Sequence, residues 1–143
     1  MKVVLINGSP RKNFNTAKIL QKVAEGAESI GADTKNINLF DYNFVGCKSC
    51  FACKLKNSKT NGLCAIRDDL RSILEGALTA DAFVIGTPIY FGLPTGQFKN
   101  FFERLAFPNL SYEIEENGQQ KKLLQKKNSD GVYLHNGRTA EIF

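Results

Sequence analysis

Two spacings of apolar residues alternate along the chain. Val3-Val4-Leu5-Ile6 is an unbroken aliphatic run closed by Gly8-Ser9-Pro10, the pattern of a strand buried on both faces. From Thr16 to Ile30, apolar residues recur every three or four positions at Ala17, Leu20, Val23, Ala24 and Ala27, which predicts an amphipathic helix stopped by Gly31. Asp33 to Phe40 alternates around Ile37 and Leu39, a second strand. Leu70, Ile73, Leu74, Ala77 and Leu78 predict a helix opening at Asp68 or Asp69, both read as helix-capping residues. Ala82–Gly86 is a third strand, ended by Thr87-Pro88, and Phe98, Phe101, Phe102 and Leu105 place a helix over Gln97–Leu105. Glu103-Arg104 then falls on the helix surface or at a subunit contact. Asn117-Gly118 between extended segments predicts a hairpin-like insertion at 111–127, and Gly131–His135 reads as a fourth strand.

Strands alternating with helices imply an α/β fold, a doubly wound parallel sheet with helices on both faces. Such sheets bind ligands at the carboxyl ends of their strands, here the segments 8–16, 87–96 and 135–139. The 143 residues fit one domain spanning 1–143, large enough to fold without disulfide or metal. No apolar run approaches the roughly 20 residues that cross a bilayer, so no membrane partner is expected. Only Lys2 precedes the first strand, which points to a cytoplasmic protein without an export leader.

The net charge of +5 suits an anionic small molecule and is too dispersed for nucleic acid. Lys121-Lys122 and Lys126-Lys127 read as a solvated face. His135 is the only histidine, at the end of an apolar strand; it reads as a packing or hydrogen-bonding residue, and no hydrolase triad can be built around it.

Two segments carry chemistry. The turn Gly8-Ser9-Pro10-Arg11-Lys12-Asn13-Phe14-Asn15-Thr16 joins the first strand to the first helix. Its small and hydroxyl residues let N–H groups converge on an anion at a helix N-terminus, with Arg11 adding bidentate charge. It matches neither GxGxxG nor GxxxxGK[ST]. All four cysteines, Cys47, Cys50, Cys53 and Cys64, lie within 46–64, a cluster that suits metal or redox chemistry more than disulfides. Cys47-x2-Cys50-x2-Cys53 can wrap a cubane cluster with Cys64 as fourth thiolate. The same four thiolates suit tetrahedral zinc, and free thiols are a third reading.

These motifs, with Asp68-Asp69 and with Thr87-Pro88-Ile89-Tyr90 leading to Lys99 and Phe102-Glu103-Arg104, resemble the flavodoxin-like NAD(P)H-dependent FMN reductases. Within them the chain is most similar to the iron–sulfur flavoprotein branch, over roughly residues 1–107. The resemblance implies a flavodoxin-like sheet in the order 2-1-3-4-5 that holds FMN. Ser9, Arg11, Asn15 and Thr16 would bind the phosphate, and Pro88, Ile89, Tyr90, Phe91 and Gly92 would frame the isoalloxazine, with Asn136 completing the pocket. NAD(P)H would be co-substrate, and a [4Fe–4S] cluster on the four cysteines would exchange electrons with the flavin. Ten residues separate Cys53 from Cys64, more than is usual in that branch; the longer loop adds little closure entropy. The implied fold needs a helix and a fifth strand beyond Phe143. The fourth strand is therefore expected to be an open edge: either the chain is truncated after it, the favoured reading, which weakens one wall of the flavin site, or another subunit supplies the cover. Partners are a small-molecule or protein electron donor or acceptor, and the chain is expected to form a homo-oligomer.

Overall fold

Val3, Val4, Leu5 and Ile6 are all buried, and their side chains divide between two cores. The structure is a computed structural model that describes residues 1–55, 60 and 63–110, and the backbone of 132–135 and 141–142. In it, β1 (Lys2–Asn7) pairs in parallel with β2 (Asp33–Asn38) on one side and β3 (Ala82–Thr87) on the other. Val4 and Ile6 face a core with Leu70, Ile73, Leu74, Phe98 and Phe101. Val3 and Leu5 face a second with Leu20, Ala24 and Val84. The first core draws on α2 (Leu70–Leu78) and α3 (Gly96–Ala106), the second on α1 (Asn15–Ser29). A strand covered by helices on both faces has no polar face, hence its continuous apolar run.

A two-residue hairpin follows β3: β4 (Ile89–Tyr90) and β5 (Leu93–Pro94) pair antiparallel around Phe91-Gly92. The strand expected at 131–135 is β6 (Val132–His135), parallel to β3 with Thr87 opposite His135. The sheet order is β2-β1-β3-β6-β7, where β7 (Glu141–Ile142) pairs antiparallel with β6. The expected order of the first four strands is therefore present. The fourth is not left as an open edge, because β7 lies against Val132 and Tyr133. The second strand stops earlier than the alternation implied: Leu39–Asp41 forms a 3-10 turn that buries Leu39 in the first core. The insertion expected at 111–127, the basic pairs within it, Asn136 and the His135 side chain lie outside the described residues.

Gly86 fixes how closely α1 approaches the sheet. A Cβ there would stand 2.8 Å from Thr16 Cγ2 and 2.9 Å from Leu20 Cδ1, so only glycine lets the first turn of α1 rest on the end of β3. Gly86→Ala is expected to lower stability by about 1–3 kcal/mol, the usual cost of overpacking, read as a lower urea midpoint at unchanged slope.

Candidate functional site

The turns after β1 and β3 meet, because a chain of hydrogen bonds joins them. The Gly8 N–H donates to the Gly86 carbonyl at 2.7 Å. The Thr95 hydroxyl donates to the Gly8 carbonyl at 2.7 Å and accepts from the Phe98 N–H at 3.3 Å, capping α3. The Thr95 N–H donates to the Thr87 hydroxyl at 3.3 Å. Gly8 is pressed so closely between Thr87 and Phe98 that a Cβ would lie 3.0 Å from the Phe98 Cβ. Thr95 was not singled out from the sequence, although a threonine before an apolar-periodic run is a helix-start signal.

Within the first turn, the Ser9 N–H donates to Asn7 Oδ1 at 2.9 Å and the Arg11 N–H to Ser9 Oγ at 3.2 Å. Ser9 and Thr16 are buried, whereas Arg11 and Asn15 are exposed. The Arg11 guanidinium lies over the Phe14 ring, 5.0 Å from its centroid. Phe14 occupies the N-cap position of α1, and no side chain caps the helix. A fifteen-residue helix thus begins with first-turn N–H groups lacking a side-chain acceptor and with no acidic residue nearby in its first turn. Phenylalanine is a poor cap; an anion seated among these N–H groups beside Arg11 would supply the missing acceptor.

Across from this turn, Pro88 and Ile89 are half-buried while Tyr90 and Phe91 face outward. Phe91 is fully exposed in a left-handed conformation at φ 52°, followed by Gly92 at φ 79°. Left-handed backbone is unusual for a bulky residue. Core packing cannot explain this pair of aromatics, since neither enters the core.

The second cluster forms around the cysteines. Cys47, Cys50, Cys53 and Cys64 are all free and line one pocket together with Glu103, Arg104, Phe107 and Pro108. Ser49 and Phe51 flank Cys50 in left-handed conformations, turning the chain twice within seven residues. Burial pushes the Cys53 thiol up, and nearby Cys64 and Cys50 add to this against the lowering effect of Lys54. Burial in turn lowers the Lys54 ammonium, offset in part by Cys53. Among the described residues, no three His, Cys, Asp or Glu side chains are gathered as one metal ion would require.

The loop that carries the thiols is tied at both stems. Arg104, expected on a surface, is 1% exposed. Its Nη1 donates to the Val45 carbonyl at 3.0 Å and to Asp68 Oδ2 at 2.6 Å; its Nη2 donates to the Ile66 carbonyl at 3.1 Å and to Asp68 Oδ1 at 2.9 Å. The surface assignment failed because helical spacing cannot reveal an acidic partner 36 residues away. Glu103 likewise is engaged, accepting from the Cys47 N–H at 3.4 Å. Asp68 and Asp69 do more than start a helix. Asp69 sits at the N-cap without a side-chain cap bond and accepts from the Asn43 N–H at 2.8 Å. Asp68 accepts from the Leu70 N–H at 3.3 Å while gripping Arg104.

Burial works to raise the Asp68 carboxyl, but the bonds from Arg104 and from the Val45 and Leu70 N–H groups prevail and hold it below its ordinary value of 3.8. A lowered carboxylate contributes stability that is complete above the unfolded value and fades as pH falls through the folded one. Asp68→Asn is expected to cost about 1–3 kcal/mol at neutral pH, less than a fully buried pair because Asp68 keeps some solvent contact. The gap between parent and variant should close on acidification below pH 3.8, as checked by denaturant titrations across that range.

A family model for NADPH-dependent FMN reductases matches residues 1–128. An iron–sulfur flavoprotein of Archaeoglobus fulgidus is 43% identical over 104 residues, 73% of this chain and 48% of that protein. One from Methanosarcina thermophila is 31% identical, covering 94% of this chain and 74% of that protein. The chain spans about half the length of several curated relatives that it matches. Among solved structures, an azoreductase from Bacillus anthracis superposes with TM-score 0.62 at 16% identity, over 96% of this chain and 70% of that one. An NAD(P)H:quinone oxidoreductase from Methanothermobacter marburgensis does so at 0.58 and 21%, over 73% and 53%. These two likenesses show the shared flavodoxin-like fold. By the extent of the family match and of its relatives, the chain belongs to the NADPH-dependent FMN reductase family, in its iron–sulfur flavoprotein branch.

Proposed function

We propose that this chain is an FMN-binding oxidoreductase that passes electrons from NAD(P)H or a redox partner through flavin to an acceptor, with a [4Fe–4S] cluster at Cys47, Cys50, Cys53 and Cys64 as a relay. The observation that carries the flavin reading is the joining of the Gly8–Thr16 turn to the Thr87–Gly96 turn through Gly8, Thr87 and Thr95. The donor set suits FMN: an uncapped helix N-terminus beside Arg11 offers N–H groups and charge to a phosphate. Ser9 and Arg11 shape that cradle, and Asn15 and Thr16 begin the helix beneath it. Tyr90 and Phe91 offer unburied flat surfaces for a ring, supported by Pro88 and Ile89. Gly92, without a side chain, leaves its backbone open to a ring edge, and Asn136 is assigned to the same pocket. When bound, FMN supplies the hydride and single-electron chemistry, while the protein orients it and tunes its potential. No side chain is required as acid or base.

The four thiols suit a cluster by number and by their shared pocket. A cubane places each thiolate on a different iron, so its ligands stand around a shared space, like four cysteines lining one pocket. That pocket also favours a second reading, an electron carrier that relays between cluster and flavin without a dedicated organic substrate. Electron exchange with a donor or acceptor, and self-association into a homo-oligomer, belong to the same proposal.

Arg11→Ala is expected to weaken FMN binding by about 1.5–3 kcal/mol, the loss of a charge-assisted hydrogen bond, or roughly ten- to a hundredfold in Kd. Flavin fluorescence quenching measures it, and unchanged affinity would place the phosphate elsewhere. Cys50→Ser is expected to abolish iron and sulfide uptake in anaerobic reconstitution yet leave the FMN absorption bands intact. NAD(P)H oxidation with a quinone or free flavin then separates enzyme from carrier.

A further inference from the structure

An arginine has five N–H donors in a fixed fork, and Arg104 commits four of them to Val45, Ile66 and Asp68. The fifth, Nε–H, is buried and has no hydrogen-bond acceptor in place. An orphaned buried donor is costly and rare in native proteins, and redox or ligand sites are among the settings where one persists. The side chain that carries it lines the cysteine pocket. Cys64, itself buried, is the pocket thiol close enough to interact with the guanidinium. Asp68, which neutralises the other edge of the fork, is not part of the pocket wall. The ion pair therefore presents its positive side to the thiols.

We propose that Arg104 is a potential-setting residue of the cysteine centre, its spare Nε–H and fixed charge directed at the Cys64 sulfur or the sulfide beside it. This rests on the reading of the pocket as a [4Fe–4S] site. Hydrogen bonds to cluster sulfurs and the net charge around them are among the factors that set its reduction potential. Adding one electron from the flavin makes a four-thiolate centre one unit more negative. No bond forms or breaks, and the guanidinium keeps its proton throughout. A cation and a donor held against the sulfurs favour the reduced form, so Arg104 raises the potential. Other charged groups near the thiols are Lys48 and Glu103 on the pocket wall and Lys54, which acts on Cys53 from over the Phe107 ring and is not itself part of that wall. Lys48 is exposed and Glu103 already accepts from the Cys47 N–H, which leaves Arg104 as the rigidly held, dehydrated cation of the wall.

The test is a potentiometric titration of the anaerobically reconstituted protein with both FMN and cluster, followed by electron paramagnetic resonance. Arg104→Gln is expected to lower the cluster potential by at least a tenfold change in the reduction equilibrium, about 59 mV for a one-electron couple. Asp68→Asn removes a negative charge but keeps the guanidinium, and is expected to move the potential upward. A strut that merely holds the loop would shift both variants the same way, or neither, and either pattern overturns the proposal. If Arg104→Gln does not fold, the sign for Asp68→Asn still decides: a rise supports the role, a fall or no change overturns it. Parent protein that takes up no iron and sulfide would instead overturn the cluster reading itself, and this inference with it.

Discussion

The pairing of buried Arg104 with the partly exposed Asp68 is the constraint on which the cysteine region depends. Taking a guanidinium out of water is costly, and mutual attraction offsets that cost only where geometry is good and the remaining donors are met. Here the carboxylate is bidentate and two carbonyls take two further N–H groups, so that of the five donors Nε–H alone is left without an acceptor. Those carbonyls belong to Val45, just before Cys47, and Ile66, just after Cys64. One side chain thus ties the two ends of the segment that carries every cysteine.

A single helix touches both candidate sites. At the start of α3, Thr95 grips the Gly8 carbonyl and so holds the turn that begins α1. Nine residues later Glu103 and Arg104 form one wall of the cysteine pocket, about 13 Å along the axis at 1.5 Å per residue. Between them, Phe98 and Phe101 anchor the helix in the core against Val4 and Ile6. Sites built on one packed helix keep their separation, as the proposed exchange of electrons between a flavin at one end and a cluster at the other would require.

The proposed anion cradle depends on a local departure from helix rules. Phe14 stands where serine, threonine, aspartate or asparagine would satisfy first-turn N–H groups. Leaving that position to an aromatic ring under Arg11 weakens the helix start in isolation and leaves its donors without a side-chain acceptor, as the proposed phosphate site requires. The left-handed Phe91 follows a similar logic, holding an aromatic side chain outside the core at the expense of backbone comfort.

The strand and helix pattern was legible because each element buries a face with its own period: β1 reads as continuous aliphatics since both faces are covered, α1 and α2 as single stripes since one is. Position after β1 and β3 likewise marked the two turns, because parallel sheets gather their ligand loops at one edge. Cysteine spacing singled out one segment, and its four thiols line a single pocket. Long-range pairing was not legible. Nothing in Phe102-Glu103-Arg104 tells which carboxylate its arginine meets, and nothing in Thr95 names Gly8 as its partner. The edge beside β6 was misjudged for the same reason, since the pairing of Val132 with Ile142 is a contact between segments that carry no shared local signal. Periodicity records burial, which each residue senses by itself, so the sequence alone determined the alternating α/β pattern and the location of its loops. Only the tertiary structure decided which charge, hydroxyl and carbonyl would meet, because those bonds join residues far apart in the chain and depend on packing already being in place.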